Sequence, residues 1–184
     1  IGAKDKGNES RVYTYCISMQ LTQAILPLAG LGTRFLPWTK TVPKELLPIG
    51  RMPIVALLVD ECLSVGIRDI RFVISKGKEP ILDFFRTDET LEAELARRGK
   101  THLLEELARY HEVKISHVYQ DEQLGDGHAI LQAADWVKSE QVAILFGDDL
   151  IVGERGNGLK QLVKAVSGEL STVSNFSLLC LQDV

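Results

Sequence analysis

Ala24-Ile25-Leu26-Pro27-Leu28 runs straight into Ala29-Gly30-Leu31-Gly32-Thr33-Arg34, and the reading of this join decides the fold. Five apolar residues closed by a glycine turn suit a buried strand of a parallel sheet. The glycines let the backbone come close to a bound group, and consecutive N–H groups there can form an anion-binding nest. Taken alone, the glycine pair does not separate a ligand cradle from a structural turn. The dinucleotide-binding fingerprint requires a third glycine where Phe35 stands, and no GxxxxGK[ST] loop occurs anywhere in the chain. The neighbourhood tips the balance. Residues 30–44 carry Arg34, Lys40 and Lys44 and no acid, a local charge of +3 within a chain of net charge −4. Pro37, Pro43 and Pro48 stiffen the stretch, which limits the entropy lost when it orders around a ligand. A polyphosphate cradle is favoured over a merely solvated run of charge.

Working outward, strands and helices alternate. Ile54–Val65 has apolar residues on nearly every turn, follows Pro53 and stops at Gly66, so it reads as a helix. Ile70–Ile74 is a second strand, and Glu79–Phe85 opens another helix. The charge-laced stretch Asp88–Tyr110 reads as two amphipathic helices broken near Gly99. Ile115–Tyr119 is a third strand, followed by a glycine turn and a helix over His128–Val137. Val142–Phe146 is a fourth strand ending in Gly147-Asp148-Asp149, then come a helix over Gly158–Val166 and a strand over Asn175–Leu181. The alternation implies an α/β protein whose parallel sheet is covered on both faces. Residues Ile1–Gln20 are polar and aperiodic, and are expected to be a loosely attached leader ahead of a domain spanning 21–184.

The 184 residues include 45% hydrophobic and 25% charged side chains, ordinary for a globular chain and too apolar for a disordered one. No apolar run approaches the ~20 residues of a membrane span, and no secretory signal is legible in Ile1–Gln20. The mild acidity argues against a nucleic-acid binder. Cys16, Cys62 and Cys180 are widely spaced with no CxxC pair, which points to a reducing, cytoplasmic setting, buried thiols and no zinc site.

The stretch AILPLAGLGTRFLPWTKTVPKELLPIGRMPI, residues 24–54, resembles the nucleotide-binding signature of the sugar-1-phosphate nucleotidylyltransferases. DECLSVGIRDIRFVIS resembles that family's first helix and second strand. FFRTDETLEAELARRGKTHLLEEL resembles a helical insertion of its uridylyltransferase branch. VYQDEQLGDGHAI and ILFGDDLI resemble its base-binding loop and metal-binding strand end, so the likeness runs from Gln23 to Ile151. The resemblance implies a Rossmann-like three-layer α/β/α fold with a mostly parallel sheet, of the nucleotidyltransferase (glycosyltransferase-A-like) type. It implies transfer of a uridylyl group from UTP to glucose 1-phosphate with release of pyrophosphate. The attacking phosphate oxygen is already ionised, so no general base is needed and the difficulty is bringing two polyanions together. Two like unit charges ~4 Å apart repel by ~4 kcal/mol at an effective dielectric of ~20. Cations and oriented N–H groups must offset that repulsion.

By the same resemblance, the backbone of Ala29, Gly30, Leu31, Gly32 and Thr33 holds the nucleotide. Arg34 meets the leaving phosphates and Lys44, in the Pro43-Lys44-Glu45 triplet, reaches the phosphate chain. Gln120, Gly125 and Gly127 face the base. Asp126, between those two glycines, stands where the family carries an apolar residue and is expected to point outward, and His128 is expected to be structural. Asp148 and Asp149 close the fourth strand, and adjacent carboxylates at a strand end suit Mg²⁺ completed by water and substrate phosphates. Strand alternation turns only one of them to the pocket, and the family motif favours Asp148. Arg34, Lys44 and Asp148 are therefore the expected catalytic residues, and Asp148 the expected metal ligand.

The sugar-binding motifs that follow in this family are not found before Val184. The chain is expected to be the nucleotide-binding part, incomplete on its C-terminal side, with a sheet edge left open and room for self-association. Two alternatives stay open within the fold: a module that holds UTP and Mg²⁺ without turnover, and a thymidylyltransferase. A third is an α/β domain of structural or regulatory kind.

Overall fold

The computed structural model describes residues 21–151 and 157–169. The leader Ile1–Gln20, the strand expected at Asn175–Leu181, and Cys16 and Cys180 lie outside them. The chain enters on β1 (Gln23–Pro27) and leaves through the glycine loop into three short 3-10 turns. A two-stranded antiparallel ribbon follows, β2 (Pro48–Ile49) with β3 (Met52–Pro53), and leads into α1 (Ile54–Ser64). Next come β4 (Asp69–Ile74), α2 (Pro80–Asp83), α3 (Glu89–Arg97) and α4 (Thr101–Ala108), the last two separated at Gly99. Then follow β5 (Lys114–Tyr119), α5 (Asp126–Gln132), β6 (Ala143–Ile144) and α6 (Gly158–Glu169).

The main sheet has the order β5-β4-β1-β6 and every pairing in it is parallel. The first three strands step outward in one direction and the fourth is laid on the other side of β1. That reversal leaves a crevice at the carboxyl ends of β1 and β6, the place where open α/β sheets bind ligands. Alternation along the strands feeds two cores. Ala24 and Leu26 of β1, Leu28 just beyond its end, and Ile70, Phe72 and Ile74 of β4 pack against α1, whose Val55, Ala56, Leu58, Val59 and Cys62 are buried. Ile25 and Val73 face the other way and meet Ala129 and Ala133, from α5 and the residue after it. Cys62 is a buried small hydrophobe, as expected, and burial pushes its thiol up to about 12.

Three elements differ from the expectation. The helix begun at Pro80 stops at Asp83, where Phe84 and Phe85 turn into an edge-on cluster with Tyr110, and Phe85 also meets Phe72. The expected helix over His128–Val137 begins earlier, at Asp126, and ends at Gln132, its tail tightening into a 3-10 turn over Ala134–Trp136. The expected strand over Val142–Phe146 pairs with β1 only at Ala143 and Ile144, with one further bond from the Leu145 N–H to the Ile25 carbonyl.

Candidate functional site

The glycine loop leaves β1 at the crevice and is fixed from several sides. Gly32 has φ +65, a left-handed conformation that favours glycine. A Cβ there would stand 3.0 Å from Thr39 Cγ2 and 3.2 Å from Lys44 Cβ, so the lysine stem packs directly against the loop. Thr39 Oγ1 donates to the Gly32 carbonyl at 2.8 Å. The N–H groups of Ala29, Gly30, Leu31 and Gly32 have no protein acceptor among the described residues. Uncommitted donors on a fixed glycine turn are what an anion-binding nest requires.

Lys44 lies in the 3-10 turn Lys44–Leu46, set by Pro43 before it. Its Nζ donates to Asp148 Oδ2 at 3.1 Å, with side chains 17% and 56% exposed. A Cβ on Gly30 would sit 3.8 Å from that same Nζ. The fold thus brings together three of the expected elements: the loop backbone, the lysine and the strand-end carboxylate. Just before Asp148, Gly147 packs so closely that a Cβ would fall 2.8 Å from Leu28 Cδ2. Asp149 is exposed as well. Arg34 is not joined to this group: it is exposed in the turn Thr33–Phe35 and forms no ion pair or hydrogen bond among the described residues. Lys40 is likewise exposed.

Among the described residues, no group of three or more His, Cys, Asp or Glu side chains could hold a metal ion. The described residues therefore build no dedicated protein cage. The donor set that is present, Asp148 with Asp149 beside it, fits Mg²⁺ of the kind held by one or two carboxylates and completed by substrate phosphates.

Gln120 is buried at the end of β5, and its Nε2 donates to the Gly125 carbonyl at 3.2 Å. The same nitrogen lies 3.1 Å from His128 Nδ1, and His128 Nε2 lies 3.0 Å from Gln132, so the histidine spans two amides of its own helix and loop. Asp126 is exposed in the first turn of α5, where a carboxylate suits the helix dipole. Gly125 has φ +92, which only glycine adopts readily, whereas the space beside Gly127 is open.

Sequence reading missed the best-buried part of the site. Lys78, 8% exposed, follows β4 and meets Glu45, which is fully buried at 0%. Its Nζ lies 2.9 and 3.0 Å from the two Glu45 oxygens, 2.5 Å from the Leu28 carbonyl and 2.6 Å from the Gly30 carbonyl. Four acceptors around one nitrogen call for all three ammonium protons, so the pair is ionised. Burial pushes the Glu45 carboxyl up and the Lys78 ammonium down, and the opposite charge of each partner opposes both shifts. Removing one partner of such a pair typically costs about 3–5 kcal/mol. Gln123 was also missed; its Nε2 donates to the Ala29 carbonyl at 3.2 Å, strapping the loop after β5 to the glycine loop. The one legible signal was Ser75-Lys76-Gly77-Lys78 at the carboxyl end of a strand next to the cradle.

A parallel sheet that reverses order between a glycine loop and an aspartate-bearing strand end defines an α/β protein of the nucleotidyltransferase fold. The chain belongs to the nucleotidyl transferase family, which matches residues 23–178. It is 44% identical over 147 residues to UTP–glucose-1-phosphate uridylyltransferase 2 of Staphylococcus saprophyticus, covering 79% of this chain and 50% of that protein. It is 40% identical over 155 residues to UTP–glucose-1-phosphate uridylyltransferase of Bacillus subtilis, covering 84% of this chain and 53% of the relative. Its fold superposes on the UTP-bound UGPase from Acinetobacter baumannii with a TM-score of 0.73 at 33% identity, over 82% of this chain and 54% of that one. The chain spans about half the length of the curated relatives it matches.

Proposed function

We propose that the chain is the nucleotide-binding part of a UTP–glucose-1-phosphate uridylyltransferase, which joins UTP and glucose 1-phosphate into UDP-glucose and pyrophosphate. The observation that carries the reading is the meeting of Lys44 and Asp148, 3.1 Å apart, beside a glycine loop whose N–H groups are uncommitted. Backbone donors and a lysine ammonium suit the phosphates of UTP, and Arg34, exposed on the next turn, supplies a planar fork for the leaving phosphates. Gln120, Gly125 and Gly127 form the side on which the base would lie. Mg²⁺ would be held by Asp148; when bound it supplies charge neutralisation at the phosphates. The names of the relatives and the UTP-bound structural neighbour support the choice of nucleotide and sugar. Such substrates are polyanions that do not cross membranes unaided, so the reading carries a cytoplasmic location. Among the described residues, no helix is long and apolar enough to cross a membrane.

A second reading, a UTP–Mg²⁺ module without turnover, draws on the same Lys44–Asp148 pair and the same uncommitted N–H groups of the glycine loop. Two measurements separate the readings. Calorimetric titration with UTP, with and without Mg²⁺, tests binding, and pyrophosphate release on adding glucose 1-phosphate tests transfer. Mg²⁺-dependent UTP binding is expected in both cases; its absence would remove both. Turnover of ~10 s⁻¹, a typical enzyme rate, would remove the second.

A further inference from the structure

We infer that Lys78, anchored by Glu45, is the positioning residue of the glycine loop, aiming its N–H groups at the phosphates without touching them. This rests on the reading of the loop as a nucleotide site. The geometry is that of a clamp applied from behind. Leu28 and Gly30 lie beyond the end of β1, and one ammonium draws both of their carbonyls to itself. A peptide unit is planar and trans, so its N–H points opposite to its C=O. Fixing the Leu28 and Gly30 carbonyls therefore turns the Ala29 and Leu31 N–H groups away from Lys78. The intervening Ala29 carbonyl is pinned separately by Gln123. Three successive carbonyls are thus held by side chains, while the N–H groups between them meet no protein acceptor among the described residues.

The chemistry of the clamp argues for geometry over mere stability. A buried ion pair contributes little that well-packed apolar side chains could not, so its presence needs another reason. A tetrahedral ammonium can bond in three directions from one atom, which no apolar residue can do and which a planar guanidinium does differently. Glu45 holds that ammonium and is also the neighbour of Lys44. With Glu45 drawn inward, the short turn Lys44–Leu46 is fixed at its root, and Lys44 is presented to Asp148.

The test uses the 184-residue chain and four proteins: wild type, Lys78→Arg, Lys78→Met, and Lys78→Met combined with Glu45→Leu. The paired replacement removes both charges and leaves neither buried alone. Each is titrated with Mg²⁺-UTP and with uridine, and its folding is followed by circular dichroism and thermal melting. Loss of charged hydrogen bonds behind the loop is expected to weaken UTP by about tenfold or more in the folded paired variant, and to leave uridine within about twofold. Lys78→Arg should fall in the same direction by less. A folded paired variant that binds UTP as wild type does would overturn the inference, since the pair would then be structural only. If the variants do not fold, nuclear magnetic resonance of the wild-type chain decides: added UTP should shift the Ala29 and Leu31 amides and leave the Lys78 ammonium signal in place. An ammonium response as large as theirs would put Lys78 on the phosphate and overturn the positioning role. Failure of the wild-type chain to bind UTP is a different result, and would sink the nucleotide reading itself.

Discussion

Lys44 and Asp148 stand 104 positions apart in sequence, and the lysine ammonium donates to the aspartate Oδ2 at 3.1 Å. The contact joins the segment after β1 to the end of β6, the two strands between which the sheet order reverses. A half-exposed pair of this kind contributes only about 0–1 kcal/mol to stability. Its value lies in where it holds two opposite charges, one suited to a phosphate and the other to a cation. Substitutions there should alter ligand binding far more than folding.

Lys44→Ala and Arg34→Ala are each expected to weaken UTP binding by ~1.5–3 kcal/mol, the range for charged hydrogen bonds, with little change for uridine. Lys44→Ala should be the more harmful. It leaves Asp148 unpaired, its negative charge facing incoming phosphate, whereas Arg34 has no partner among the described residues to abandon. Titration of both variants with both ligands checks this. Equal losses for UTP and uridine would show that the loop is no phosphate cradle.

Asp148→Asn keeps size and one oxygen but removes the charge that draws a cation. UTP affinity in this variant should lose most of its dependence on Mg²⁺, and Asp149→Asn should change it less, because Asp148 is the carboxylate turned to Lys44. Both should melt within ~0.5 kcal/mol of wild type, as exposed substitutions usually do. The measurement is UTP titration with and without the ion. Reversal of the order would move the metal site to Asp149, and indifference of both would remove it from this strand end.

The parts of the fold that sequence made legible are those with local periodicity. The β1 run, the α1 helix after Pro53 and the helix pair split at Gly99 all follow from spacing and breakers. The two-residue length of β6 does not, since how far it pairs with β1 is a matter of the assembled sheet and not of its own apolar run. A basic loop without acids and a strand end closed by two aspartates were readable from the residues, and the family resemblance singled out Lys44 and Asp148 within them. Lys78 and Glu45 were not readable. A lysine after Gly77 looks like an ordinary solvated turn residue, and nothing local says that a carboxylate 33 positions away will share its burial. Burial of charge is a tertiary property, and so is the commitment of the Gln120 amide to its own loop.

Gly32 and Gly50 share φ +65, yet a Cβ on Gly50 meets nothing within 4 Å while one on Gly32 crowds Thr39 and Lys44. Gly50→Ala should show the backbone strain alone, about 1–2 kcal/mol, with nucleotide affinity unchanged. Gly32→Ala should lose about 1–3 kcal/mol more from crowding and also weaken UTP, because the displaced atoms belong to the Lys44 stem. Denaturant unfolding and UTP titration of the two variants separate strain from site. Equal effects would show that the lysine stem yields freely.

Glu61 ties α1 to α6: its buried carboxylate accepts from the Leu159 N–H at 2.7 Å, at the first turn of the later helix. Burial pushes the carboxyl above its ordinary value of 4.5, and the backbone N–H groups of Leu159 and Gly158 only partly pull it back. The folded chain therefore holds this proton more tightly than the unfolded chain does. Between the ordinary value and the raised one, the folded state binds more protons, so the Glu61 contribution to stability falls as pH rises through that interval. Glu61→Gln keeps an oxygen to accept from Leu159 and cannot titrate. Relative to wild type, the variant should thus gain stability as pH rises above the ordinary value of 4.5, and the gain should level off once Glu61 is fully ionised. Urea unfolding of both proteins across that range measures the difference directly. A difference that moved in favour of wild type with rising pH would show that the helix-start N–H groups outweigh desolvation, and would reverse the sign argued here.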